Sequence, residues 1–211
     1  MRFMEAGSGN ITWAVLAGGE GIRMGRPKGD LEINGLPILR YLLHRVEWRG
    51  PTLLVTAPGR ERPPAHYDFA REVVDPAAGL GPLRGVLTAI EAAETETVIV
   101  STVDMPGIRC DQLLWLACAL QDDPERMGVM LRRGSADGMR IEPFPSAFRR
   151  TGAERIRERL AAGKSAVHGL VSLPQFAALA VPQGWDDSTW LNLNSPGDVI
   201  AFIRQMAAIS A

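Results

Sequence analysis

The sequence predicts an α/β protein built on a mostly parallel sheet with covering helices, and three observations carry that prediction. Short apolar runs alternate with segments of helical periodicity, the pattern a parallel sheet with crossover helices requires. The runs at 12–16, 52–56, 72–74 and 97–103 are each followed within two residues by Gly, Pro or Asp, so each stops sharply. The 211 residues show no internal repeat, low-complexity tract or dividing linker, so residues 11–211 are expected to form one domain behind a loose tail at 1–10.

The elements follow in order. The first strand, 12–16, runs into Ala17-Gly18-Gly19. Residues 36–48 read as a helix, because Leu39, Leu42, Leu43 and Val46 recur on one face at the 3.6-residue period. Strands at 52–56 and 72–74 are stopped by Pro58-Gly59 and Asp75-Pro76. Pro82 suits the first turn of the next helix, where its missing N–H costs nothing, and Leu83, Val86, Leu87 and Ile90 form the stripe it would bury. The apolar strand at 97–103 has the composition of one buried on both faces. A helix at 110–120 and a strand at 128–131 come next. Beyond them the pattern loosens: a turn at 134–138, an extended segment at 141–148 broken by two prolines, a helix at 154–162, a last strand at 176–181 and a closing helix at 195–208.

Composition narrows the partners. Lys and Arg number 23 against 24 Asp and Glu, a net charge of −1, so neither sign dominates and nucleic acid or an anionic membrane is not expected as partner. The first ten residues lack the basic-then-apolar order of a signal peptide, and no apolar run approaches the ~20 residues of a membrane span. A cytoplasmic location is the expectation. Cys110 and Cys118 on one helix would lie about 12 Å apart, too far for a disulfide. His44, His66 and His168 stand isolated, so no Cys/His metal grouping is present.

The first strand feeds directly into Leu16-Ala17-Gly18-Gly19-Glu20-Gly21-Ile22-Arg23-Met24-Gly25. Glycines there let backbone N–H groups approach an anion and permit positive φ. Counted from Gly19, a dinucleotide fingerprint would need glycine at Met24, and a P-loop would need lysine directly after its last glycine, where Arg26 and Pro27 precede Lys28. What remains is a glycine loop with two cations, Arg23 and Lys28, a set suited to a triphosphate. A tight strand-to-loop turn with solvated basic residues is the plainer alternative. The position at the carboxyl end of a parallel strand, where open α/β sheets bind ligands, favours the former.

Two carboxylates also close strands. Asp104 ends the most apolar one, in Val103-Asp104-Met105-Pro106, where an unpaired charge would be costly. Mg²⁺ would satisfy it, because that ion takes one or two carboxylates together with phosphate and water oxygens. Asp75, before Pro76, reads equally as a ligand contact or as a turn-forming residue.

Taken together these motifs resemble the MobA-like nucleotidyltransferases. The loop Leu16-Ala17-Gly18-Gly19 with Arg23-Met24-Gly25 and Lys28 is similar to that family's signature loop. Gly81-Pro82-Leu83-Arg84-Gly85, Asp104-Met105-Pro106 and Asn192-Leu193-Asn194-Ser195-Pro196 follow in the family's order, the last resembling an element of bacterial molybdenum cofactor guanylyltransferases. The resemblance implies a three-layer α/β/α sandwich with a Rossmann-like nucleotidyltransferase fold. It implies transfer of GMP from GTP to molybdopterin carrying molybdenum, with Mg²⁺ as cofactor and other proteins of molybdenum cofactor biosynthesis as further partners. By the same resemblance Leu16, Ala17 and Gly18, with Gly19 beside them, would hold the nucleotide, Lys28 its phosphates, Asp75 the GTP, Asp104 both GTP and metal, and Asn192 and Asn194 the acceptor; Arg23, from the charge of the loop, would join Lys28 on the phosphates. The chain departs from the pattern at Glu20, Pro27, Pro58, Glu142 and Gly197. Gly18-Gly19 resembles guanylyl more than cytidylyl members. Cytidylyl transfer, transfer to a sugar phosphate, and a catalytically weak nucleotide-binding adaptor remain the alternatives.

Overall fold

The computed structural model describes residues 8–19, 21, 25, 27–77, 79–135 and 138–209. After a 3-10 turn at Ser8–Asn10 comes β1 (Ile11–Leu16), whose first five residues are all buried. A strand buried at successive positions has both faces covered, because neighbouring side chains point to opposite sides. β2 (Glu32–Ile33) and β3 (Leu36–Pro37) make a small antiparallel pair around Asn34 and Gly35, which take φ of 52° and 77°. An Asn-Gly pair at positive φ is the preferred two-residue hairpin turn. That hairpin takes the first two residues of the segment expected to be helical from 36, so α1 is Ile38–Val46.

The chain continues through β4 (Thr52–Thr56), β5 (Arg71–Val74), α2 (Pro82–Ala92) and β6 (Thr97–Thr102). Then follow α3 (Cys110–Gln121), β7 (Gly128–Ser135), β8 (Gly138–Arg149), α4 (Ala153–Ala161), β9 (Phe176–Ala180) and α5 (Pro196–Ile209). The main sheet has seven strands in the order β5-β4-β1-β6-β8-β7-β9. β8 runs antiparallel to both neighbours and the other six share one direction. Helices flank it: α2 packs on α4, and α1 meets α5 through the edge-on rings of Tyr41 and Phe202, 6.0 Å apart. One hydrophobic cluster runs from Ile11 to Phe202. Among the described residues no helix is long and apolar enough to cross a membrane.

The looser stretch of sequence holds the other corrections. The strand expected at 128–131 runs on to Ser135 and is followed by β8, with Ser135 paired opposite Gly138, so most of the turn expected at 134–138 is strand; residues 136–137 lie outside the described residues. β8 keeps Pro143 and Pro145 because its register against β7 jumps from Ala147 opposite Val129 to Glu142 opposite Leu131. Its pairing with β6 also ends at Ser146, so neither proline sits where a ladder N–H is needed. The closing helix is capped as its sequence suggests. Ser195 Oγ accepts from the Asp198 N–H at 3.3 Å and Asp198 Oδ2 accepts from the Ser195 N–H at 2.7 Å. Cys110 and Cys118 are free thiols on α3, both pushed up in pKa chiefly by burial.

Candidate active site

The strand order fixes where a ligand can sit. From β1 the chain moves outward to β4 and β5, then returns to place β6 on the other side of β1. At such a reversal the loops beyond the strands' carboxyl ends diverge and leave a crevice. A cavity of about 380 Å³ lies there, walled by Leu16 from β1, Val55 from β4, Asp75 beyond β5, Thr102 at the end of β6 and Val103 and Asp104 just after it. Gly18 and Gly19 of the glycine loop also line it, with Gly81, Pro82, Arg84 and Gly85 at the amino end of α2, the positive end of that helix's dipole.

Glycine has different uses along the loop. Gly21 and Gly25 take φ of 59° and 68°, the left-handed region closed to most side chains. Gly18 serves close approach instead, since a Cβ there would lie 3.3 Å from Ala57 Cβ. The backbone of Leu16 and Ala17 is spent in the sheet: the Leu16 carbonyl accepts from Val103 at 3.0 Å and the Ala17 N–H donates to Val55 at 2.8 Å. Leu16 therefore meets the cavity with its side chain, and Ala17 does not line it.

Lys28 opens a 3-10 turn, Lys28–Asp30, and its ammonium is held at two points. It donates to Asp104 Oδ2 and, at 2.7 Å, to Asn194 Oδ1. The Lys28 and Asp104 side chains are 18% and 13% exposed, so this is a largely sheltered pair on the cavity wall. Asp75 has a different environment. Burial pushes its carboxyl above the ordinary 3.8, while a hydrogen bond donated by the Thr88 hydroxyl and the charge of Arg84 pull the other way.

The fold thus gathers Leu16, Gly18, Gly19, Lys28, Asp75 and Asp104 around one cavity. Asn194 joins them through Lys28, while Asn192 does not line the cavity. Arg23, Glu20 and Met24 lie outside the described residues. Two cavity-lining cations escaped the sequence reading. Arg60 reaches back from the loop after β4 and donates to the Gly19 carbonyl at 3.1 Å. Arg84 pairs with Glu91 at 3.1 Å. Arg60 follows a strand's carboxyl end by only a few residues, a signal that could have marked it; Arg84 stood inside a quoted motif without a role.

A second group of elements closes over the Asp104 turn. The Leu193 N–H donates to the Asp104 carbonyl at 2.9 Å, Gln112 Nε2 to Thr189 Oγ1 at 2.7 Å, and Arg109 pairs with Asp186 at 2.7 Å. Gly107 permits the contact, for a Cβ there would fall 1.9 Å from the Ser188 carbonyl oxygen. Residues 191–194 form no strand; Leu193 is fully buried, whereas Leu191, Asn192 and Asn194 are all half-buried. Glu142, which departs from the family pattern, is buried against Arg133 at 2.7 Å, and that guanidinium lies 5.2 Å over the Trp190 ring.

Metal ligation can be tested against these residues. Asp104 is sheltered, has a cation on Oδ2, and among the described residues has no hydrogen-bond partner on Oδ1. Among those residues no three His, Cys, Asp or Glu side chains cluster, so a metal here would complete its shell with phosphate and water oxygens. That is the coordination Mg²⁺ prefers, and the donor set fits it.

Comparison with known proteins finds relatives along most of the chain. Residues 13–174 match the MobA-like NTP transferase domain. A probable molybdenum cofactor guanylyltransferase of Mycobacterium marinum is 31% identical, with 97% of this chain and 98% of that protein covered. The molybdenum cofactor guanylyltransferase of Cereibacter sphaeroides is 30% identical over 88% of this chain and 91% of its own length. Among solved structures, molybdopterin-guanine dinucleotide biosynthesis protein A of Archaeoglobus fulgidus superposes with a TM-score of 0.73 at 19% identity, covering 93% of this chain and 99% of that one. At that identity the likeness speaks to the fold.

Proposed function

The chain belongs to the MobA-like NTP transferase family, and on that premise we propose that it transfers GMP from GTP to molybdopterin carrying molybdenum, releasing pyrophosphate. The observation that carries the reading is the cavity at the strand-order reversal, where the glycine loop, Lys28, Asp75 and Asp104 converge. Two relatives of at least 30% identity named as guanylyltransferases support the choice of nucleotide and acceptor. A cytoplasmic setting goes with the reading.

In this reaction an oxygen of the acceptor's terminal phosphate attacks the α-phosphorus of GTP in line. A new P–O bond forms, the bond to the β-phosphate's bridging oxygen breaks, and the electron pair leaves with pyrophosphate. The attacking phosphate is already ionised at neutral pH, so no general base is required, and catalysis rests on alignment and on neutralising charge. Gly18 and Gly19 let the phosphates come close to the backbone. Lys28, with Arg60 and Arg84 on the same wall, balances their charge. Asp75 would contact the nucleotide and Asn192 would face the acceptor, while Asn194 reaches the nucleotide side through Lys28. Asp104 is the residue that would hold Mg²⁺, which when bound supplies charge neutralisation at the reacting phosphates.

The test is pyrophosphate release from each of the four NTPs, with and without molybdopterin. The expectation is GTP use that depends on molybdopterin, with kcat/KM for GTP at least about tenfold above CTP. Preference for CTP would move the chain to cytidylyl transfer, and tight GTP binding without release would make it a nucleotide-binding adaptor.

A further inference from the structure

We propose that Asn194 is a positioning residue for the nucleotide's phosphates and that it acts through Lys28. The inference rests on the reading that Lys28 serves a triphosphate, and it concerns how that lysine is kept in place.

A lysine side chain is a compact charge on a flexible four-carbon stem, so its location depends on what holds the ammonium. Here Asp104 Oδ2 and Asn194 Oδ1 both accept from it, the second at 2.7 Å across 166 sequence positions. An ammonium has three N–H donors, so two are committed to the protein and one is left for a ligand. The two anchors differ in kind. Asp104 is a charged anchor that pairs with the ammonium directly. The neutral amide fixes the ammonium's direction without adding a second counter-charge, which suits a group that must meet a polyanion.

Asn194 is itself firmly placed. Its backbone N–H donates to Asp198 Oδ2 at 2.9 Å, within the cap of α5, and its Nδ2 donates to the Asn192 carbonyl at 3.4 Å. The preceding residue, Leu193, is fully buried and bonds the Asp104 carbonyl. Both anchors of Lys28 are thereby tied to the turn after β6. A residue that only shaped the turn into α5 would need its backbone, not a side-chain oxygen reaching Lys28.

A double-mutant cycle decides it: GTP and guanosine titrations on the wild type, Asn194→Ala, Lys28→Ala and the double variant, with magnesium and without acceptor. Asn194→Ala should weaken GTP roughly tenfold, the scale of a hydrogen bond to a charged group, and leave guanosine unchanged. In the Lys28→Ala background it should have no further effect on GTP. Equal losses in both backgrounds, or undiminished GTP binding in the single variant, would overturn the proposal. Circular dichroism checks folding, and Asn194→Ser, which withdraws the oxygen from Lys28 but keeps a polar group, replaces the alanine variant if that one does not fold. Because no acceptor is present, the cycle is independent of acceptor identity. A wild type that binds CTP in preference to GTP would sink the guanylyl reading, and the cycle run on CTP would still decide Asn194.

Discussion

The parallel half of the sheet, β5-β4-β1-β6, and the half formed by β8-β7-β9 with residues 186–209 meet the cavity in different ways. In the first, strand after strand ends on it, so Leu16, Val55, Asp75 and Asp104 arrive there because of where their strands stop. Among the described residues the second lines none of it, yet it reaches the cavity through Asn194 on Lys28. The first half is assembled by sheet hydrogen bonds and apolar burial. The second continues that sheet through β8 on β6, and its segment from Trp185 onward is docked by particular pairs: Arg109 with Asp186, Gln112 with Thr189, Leu193 with Asp104, and a ring series in which Trp185 stacks on Trp190 at 5.9 Å and meets Trp115 edge-on at 5.8 Å. Binding chemistry can therefore rest on strand ends alone, whereas completing the site depends on a seam. Changes at strand ends should cost chemistry with little stability; changes in the seam should cost both.

The largest effect is expected at a strand end. Asp104→Asn should fold normally and lose roughly a thousandfold in kcat/KM, as removal of a charged ligand from the reacting phosphates implies. Pyrophosphate release measured beside a thermal melt checks both parts, and near-normal turnover would take Asp104 out of the mechanism. In the seam, Gly107→Ala forces a Cβ against the Ser188 carbonyl, so the 187–190 turn must shift. Overpacking of this kind costs about 1–3 kcal/mol. For a chain of this size that lowers Tm by about 2–4 °C for each kcal/mol, with turnover falling as well. An unchanged melt would mean that the seam yields freely and the contrast between the halves is weaker than drawn.

Asn192→Ala sharpens the comparison from the acceptor side. Lying outside the cavity lining, it should raise the acceptor KM by roughly tenfold, the scale of one or two lost hydrogen bonds, with GTP binding nearly unchanged. Separate titrations of GTP and molybdopterin read the two effects, and a loss confined to GTP would place this amide with the nucleotide. The smallest effect concerns Asp75. Burial raises its folded-state pKa above the ordinary 3.8, so the native form binds the proton more tightly than the unfolded chain does. Stability therefore falls as pH rises from about 3.8 through the raised value and stays lower above it. Asp75→Asn should remove that slope and melt no lower than the wild type at neutral pH. Melts of both proteins across this window would expose the reverse sign, a wild type that gains on the variant as pH rises.

Most of the parallel half was legible in the sequence because its signals are local. The buried stripe of Leu83, Val86, Leu87 and Ile90, the proline opening α2, and the turn residues after β1, β4 and β5 each report on neighbours a few positions away. Asn34-Gly35 carried a local signal too, a hairpin turn passed over in favour of the helical pattern beginning two residues later. The second half resisted for a different reason. Pro143 and Pro145 argue against a strand until the register jump against β7 is seen, and a register is a property of two segments together.

What the sequence by itself determined is the α/β class, the glycine loop at a strand end, the carboxylate closing the apolar strand, and the ordered motifs that identify the family. The tertiary structure alone decided that Lys28 lies between Asp104 and Asn194, 76 and 166 positions away, and that Arg60 turns back to the Gly19 carbonyl. Periodicity and turn chemistry act between neighbours and leave a trace in the order of residues. The meeting of three side chains from distant segments depends on how the elements dock, and that is set by packing over the whole core.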